Sequence, residues 1–328
     1  ALYSLEAARA AKAVFGHREA RRRLDRALEL LAQHSAAVGE AGFTDASLRL
    51  RTEVLYERGW VYRLLGQMND YTEDLEQEAQ LAETLGDAGS LAHLRFRQAY
   101  AHRWFCRYDR AQVVAAEGLA LSREVGDPLM EARCLREIGV AARETGNDVG
   151  AQEALDTGLS IAAGLRDTVL RLHLMSNLCT LYWRQGQYES SLALAREALA
   201  LTDQAGLVFE RRLPLGDIGA ASMALGDLEQ AKEALAESLE ISRRISDRTQ
   251  EIFCLYHLGR LSMRRRRPEA ARDAFGSGIE IAEEIGSCTE QSALHSGLAE
   301  AHLLAGRPTD ARKHARRALQ LSRSTGRA

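Results

Sequence analysis

Proline is scarce: four residues interrupt a chain of 328, so helices meet few obligatory breaks. Strands have little to build from, because Ala, Leu, Arg and Glu dominate the sequence and favour helix throughout. Cysteine is sparse as well. Cys106, Cys134, Cys179, Cys254 and Cys288 are odd in number, widely spaced and form no CxxC pair, so neither a disulfide framework nor a zinc site is indicated and a reducing cytoplasm is expected. No stretch approaches ~18 consecutive apolar residues and no signal peptide opens the chain, so neither a membrane span nor export is expected. The missing initiator methionine points to an excised fragment or a processed start. A strong charge excess is also lacking: the formal net charge of −3 argues against a general nucleic-acid binder, which carries a basic surplus. Lysine is reduced to Lys12, Lys232 and Lys313, so nearly all basic charge is arginine, a skew that a GC-rich genome explains as readily as function does.

The usual catalytic constellations are missing too. There is no GxxxxGK[ST], no HExxH, no GxSxG and no GxGxxG after a strand, so no enzyme activity, cofactor or metal is expected. His295 and His302 lie seven residues apart, two turns along a helix, but no carboxylate or cysteine completes a ligand set. Arg264 to Arg267 form the one basic run; four charges without interleaved aromatics read as a solvated turn before Pro268.

What is present is repetition. Gly59, Ala99, Gly139, Cys179, Gly219, Gly259 and Ala299 are each 40 residues apart. Seven residues after each anchor comes a turn position, held by Gly66, Cys106, Gly146, Gly186, Gly226, Arg266 and Gly306, where glycine accepts a left-handed cap. Five residues further on, Ala111, Ala151, Ser191, Ala231, Ala271 and Ala311 mark a close helix approach, with Tyr71 the exception. A second punctuation closes each unit, as in Leu85-Gly86-Asp87, Val125-Gly126-Asp127 and Ile285-Gly286-Ser287, where glycine ends one helix and Asp or Ser caps the next. Pro268 and Pro308 sit just inside the start of a second helix, where the missing N–H costs nothing.

Each unit therefore predicts two helices of roughly 14 to 18 residues, too small to bury an apolar face alone and stable only by stacking on neighbours. The expected architecture is an all-α superhelical solenoid of about eight hairpins, forming a single repeat domain over 1–328. Its first hairpin occupies 1–50, and seven consecutive 40-residue units follow over 51–328. The step from Ala8 to Gly59 is 51 residues, so about eleven extra residues, around Gln33 to Ser47, form a longer loop or a helix extension. In the sixth unit Pro214 and Gly216 lie early in the first helix and shorten or kink it.

Gly59-x-x-Tyr62-x-x-x-Gly66 and Cys179-x-x-Tyr182-x-x-x-Gly186, with the small residues five after the turn, resemble the tetratricopeptide signature over nearly the whole chain. The 40-residue period is longer than the standard 34. It is similar to the arrays forming the C-terminal sensor region of bacterial signal-transducing STAND-type ATPase regulators. The resemblance implies a binding module within a larger signalling or transcription-regulating protein.

It also implies which side is free. On each first helix the anchor and its neighbours one and four before and three after face the core; the opposite side lines a concave groove in tetratricopeptide arrays. Carried onto this sequence, the groove contains Tyr56, Trp60 and Arg63, then His93, Arg97, Tyr100, Arg103 and Trp104. Arg133, Arg136 and Arg143 come next, then His173, Asn177, Trp183 and Arg184, and finally Tyr256, His257 and Arg260. All three tryptophans fall in this set. Large aromatics beside arginines are the usual makeup of a recognition surface, and arginines grip carboxylates or phosphates with paired hydrogen bonds. A protein or peptide partner, acidic in character, is the leading expectation. A small-molecule receptor for an anionic metabolite or sugar and a scaffold assembling as a homo-oligomer are the alternatives; no nucleic acid or membrane partner is expected.

Overall fold

The computed structural model describes residues 1–13, 16–38 and 44–324. Among these, sixteen α-helices follow one another with no strand, paired as eight antiparallel hairpins. They are α1 (Leu2–Ala13) with α2 (His17–Val38), α3 (Asp45–Leu65) with α4 (Met68–Leu85), and α5 (Ala88–Trp104) with α6 (Tyr108–Val125). Then come α7 (Pro128–Glu144) with α8 (Asp148–Leu165), α9 (Thr168–Arg184) with α10 (Tyr188–Gln204), and α11 (Arg212–Leu225) with α12 (Leu228–Ile245). The last pairs are α13 (Arg248–Arg264) with α14 (Pro268–Glu284) and α15 (Cys288–Leu304) with α16 (Pro308–Ser324). Each helix packs on the next, and odd-numbered helices also touch across hairpins, as in α5 with α7 and α11 with α13. The expected superhelical solenoid is the fold observed.

From α3 onward a left-handed residue recurs at every turn. Gly66, Gly146, Gly186, Gly226 and Gly306 all have positive φ, and so do the two non-glycine turn residues, Cys106 at 57° and Arg266 at 54°. The turns between hairpins repeat the conformation at Gly86, Gly126, Arg166, Gly206, Ser246 and Gly286. A non-glycine residue pays a small steric penalty there, which the packed hairpin overrides. After the turns, Asp87, Asp127, Asp167, Asp227 and Asp247 accept a hydrogen bond from the backbone N–H three residues on. Ser287, expected to cap α15, does not: its hydroxyl engages Glu290 instead.

The small anchors are small because a side chain from the second helix fills their place. A Cβ on Gly259 would lie 2.5 Å from the Phe275 ring, and one on Gly139 or Gly219 would meet Leu155 or Leu235. At Gly59 the same space is taken by the fully buried Tyr71, which accounts for the large residue at a position that is otherwise Ala or Ser.

The extra residues of the first unit partly lengthen α2 and α3, to 22 and 21 residues; 39–43, with Gly39 and Gly42, lie outside the described residues. In the sixth unit α11 is shortened to 14 residues, and Val208–Arg211 form a 3₁₀ turn ahead of it. The basic run is structural at its start: Arg264 donates to the Met223 carbonyl (2.8 Å), and Arg265 to Leu228 O and Glu229. No helix among the described residues is long and apolar enough to cross a membrane.

Candidate functional site

The superhelix curls far enough for its second hairpin to touch its seventh. Gly66, in the α3–α4 turn, lies against Ile285 of the α14–α15 turn, with no room for even a Cβ between them. Trp104 of α5 packs on the apolar cluster that contains Ile252, Phe275 and Ile285. The concave groove is thereby narrowed into a chamber of about 620 Å³, walled mainly by the odd-numbered helices, with His17 of α2 and Ile245 of α12 also lining it.

Nine of the expected groove residues line this chamber: Trp60, Arg63, Tyr100, Arg103, Trp104, Arg136, Arg143, His173 and Asn177. Sequence reasoning missed Arg212, Asp247, Arg248 and Gln250, which the short α11 and the curl of the array bring in from the C-terminal side. Six arginines face three carboxylates, Glu137, Glu210 and Asp247, so the chamber is net positive.

The ion pairs show where that surplus sits. Glu137 is fully buried and accepts from Arg103 Nε (2.7 Å) and Arg136 Nη2 (2.9 Å). Burial alone would raise its carboxyl, but the two guanidinium groups outweigh it and hold the group at about 2. Arg212 is matched by Asp247 and Glu210, each at 2.7 Å. Arg63 has no carboxylate partner among the described residues. Its guanidinium lies 3.7 Å from the centroid of Tyr100 and 4.5 Å from that of Trp60, and its Nε is buried without a hydrogen bond. Trp104 Nε1 is likewise buried without an acceptor. A cation held by two aromatic faces and a bare indole donor form a ready site for an anionic oxygen. His173 is neutral beside them: burial, with Arg136 and Arg212 nearby, drives its imidazole well below the usual range.

The other expected residues are elsewhere. Trp183, Arg184, Tyr256 and His257 line a second cavity of about 240 Å³ with Asp217. Tyr56 and His93 meet edge to face at 6.1 Å on the N-terminal hairpins, and His93 lies 3.7 Å from Asp127. Arg133 is half-buried on α7, and Arg260 pairs with Glu300 at 2.7 Å. Arg97 is not a groove residue. It is buried among α3, α4 and α5, ion-paired with Glu78 and 3.4 Å from the Tyr71 hydroxyl, so it serves hairpin packing. Among the described residues no group of three or more His, Cys, Asp or Glu could hold a metal ion.

Fold and groove together define a helical-repeat array with a concave chamber. Tetratricopeptide-repeat family models match residues 171–204 and 211–284, so this stretch is built of tetratricopeptide repeats. No curated protein matches the chain. Among solved structures, a Rap protein complexed with the competence and sporulation factor is similar with a TM-score of 0.67 at 12% identity, covering 99% of this chain and 98% of that one. The Rap conjugation gene regulator of the plasmid pLS20, in complex with the Phr* peptide, has a TM-score of 0.67 at 13% identity, with 99% and 95% covered. The apo quorum sensor NprR from B. thuringiensis has 0.61 at 16%, with 97% and 86% covered. At these identities the likeness concerns the fold.

Proposed function

We propose that this chain is a peptide-binding repeat domain, the sensor or interaction region of a larger cytoplasmic bacterial regulator, and that it acts by binding and not by catalysis. The observation that carries the reading is Arg63, clamped between Trp60 and Tyr100 with no carboxylate of its own. Leaving a guanidinium unpaired at a half-buried site is unfavourable unless a ligand supplies the anion. The chamber wall from Trp60 to Asn177 offers the aromatic and arginine anchors from which recognition sites draw most of their affinity. Two structures of similar fold are complexes with a peptide or a signalling factor, which favours the same kind of ligand here. The likeness to STAND-type regulator arrays supports the larger parent.

The test is equilibrium binding of peptides selected from a random library, read by fluorescence anisotropy. Acidic peptides should be enriched, and replacing both Trp104 and Arg136 with alanine should abolish binding while the helical content is retained. Unchanged affinity in that double variant would sink the site assignment. The chamber volume of about 620 Å³ also suits an anionic metabolite or sugar. A metabolite that raises the melting temperature in proportion to log concentration, with no selected peptide, would favour that reading.

A further inference from the structure

The second cavity lies where α9, α11 and α13 converge, and its chemistry is opposite to that of the chamber. Asp217 is 6% exposed, and its Oδ2 has no hydrogen-bond partner. His257 is 5% exposed, and its Nδ1 is likewise without a partner. A buried carboxylate oxygen and a buried imidazole nitrogen facing one cavity are unexplained by packing, since each costs free energy that a donor would recover.

The surrounding walls are aromatic. Phe253 and Tyr256 stand 4.4 and 5.1 Å from the His257 ring, centroid to centroid, and Trp183 stands at 6.0 Å, edge to face. The Trp183 indole is fixed by its Nε1–H, which donates to the Ala220 carbonyl at 3.3 Å. Glu144 lines the same cavity and is engaged with Arg143 and with Arg184 at 3.4 Å. An anion entering here would meet two carboxylates, and a metal would find too few ligands among the rings. Aromatic faces around an acidic acceptor are instead the environment that stabilises an organic cation.

We propose that this cavity is an ammonium subsite, taking a lysine-type primary ammonium on an apolar stem from the same ligand that the chamber holds by its acidic groups. Ammonium fits better than guanidinium because Asp217 presents one buried, unpartnered oxygen, Oδ2, where a planar fork would need two. Thr249 and Gln250 of the chamber and Phe253 and Tyr256 of the cavity line one pocket between them, so an extended ligand can run from one site to the other. The inference rests on the peptide reading for its natural ligand; the cavity's preference for a cation stands on its own residues.

The experiment uses the whole chain and two small probes, n-butylammonium and its neutral isostere 1-butanol, followed by ligand-observed NMR. At pH 8 butylammonium should bind at least tenfold more tightly than butanol, and Asp217→Asn should remove that preference. Trp183→Leu should weaken the ammonium more than the alcohol. Equal binding of the two probes by the unaltered protein, or a preference that survives Asp217→Asn in a folded variant, overturns the proposal. Peptide selection separates this outcome from failure of the function. Selected peptides without a recurring lysine would count against the subsite alone, whereas selection of no peptide would count against the peptide reading and leave the probe result to decide the cavity.

Discussion

Replacing Asp217 with asparagine should make the protein more stable, and more so as pH rises. Burial pushes the Asp217 carboxyl from 3.8 up to about 7, against the weaker pull of Ser176 and Arg143. Between those two values the folded chain holds a proton that the unfolded chain has released, so stability falls as pH rises through the window. Each pH step of one costs about 1.4 kcal/mol, so the full effect is roughly 4 kcal/mol by pH 8 and under ~1 kcal/mol at pH 4. Asparagine is isosteric and carries no charge, and it escapes this penalty; incomplete hydrogen bonding of its amide brings the expected gain to about 2–4 kcal/mol at pH 8. Urea unfolding of both proteins at intervals from pH 4 to pH 8 would show the two stability curves diverging upward. Parallel curves, or a variant less stable at pH 8, would refute the argument that Asp217 is an unrelieved buried acid. The same result bears on the ammonium subsite, because a stabilised variant that no longer binds butylammonium has lost the contact and not the fold.

Other perturbations have equally definite outcomes. Glu137→Gln strips Arg103 and Arg136 of their shared carboxylate in the chamber wall, and should destabilise the array by about 3–5 kcal/mol in urea unfolding. Gly259→Ala drives a methyl into the Phe275 ring and should cost about 1–3 kcal/mol, whereas Gly276→Ala meets nothing within 4 Å and should stabilise α14 by up to about 1 kcal/mol. His295 and His314 stack with their Nδ1 atoms 3.0 Å apart, and burial and the neighbouring His314 hold His295 at about 4. Their neutral forms favour the fold, so the last hairpin should lose protection as pH falls from about 6.5 toward 4, seen as faster hydrogen exchange in α15 and α16, and His295→Gln should blunt that loss. Arg63→Ala should weaken a selected acidic peptide at least tenfold with little change in unfolding midpoint.

The repeat was legible because each hairpin needs a small residue where its helices touch and a left-handed residue where they turn, and glycine or alanine fills most of those places. Cys106, Arg166, Ser246 and Arg266 hide the pattern: all four adopt positive φ, so the turns recur every 20 residues although composition does not show it. The groove was half legible. Helical phase puts Trp60, Arg63, Trp104 and Arg136 on one side, and they line one chamber. The same phase misplaced Arg97, because Tyr71 occupies a position otherwise small and, with Glu78, draws the guanidinium between the helices. Closure of the chamber by Ile285 on Gly66 depends on curvature summed over many hairpins, and no local pattern encodes it. In the sequence Asp217 is one acidic residue directly after Pro214-Leu215-Gly216, where the helix pattern breaks, with no motif to mark it. Its significance comes from Trp183 and His257, brought beside it from the flanking hairpins.

The most direct measurement is photocrosslinking of a selected peptide bearing a benzophenone, with the attachment sites mapped by mass spectrometry. The account predicts crosslinks on α3, α5, α7 and α9, concentrated near Trp60, Tyr100 and Asn177. Crosslinks confined to the outer helices α4, α6, α8 and α10 would contradict it.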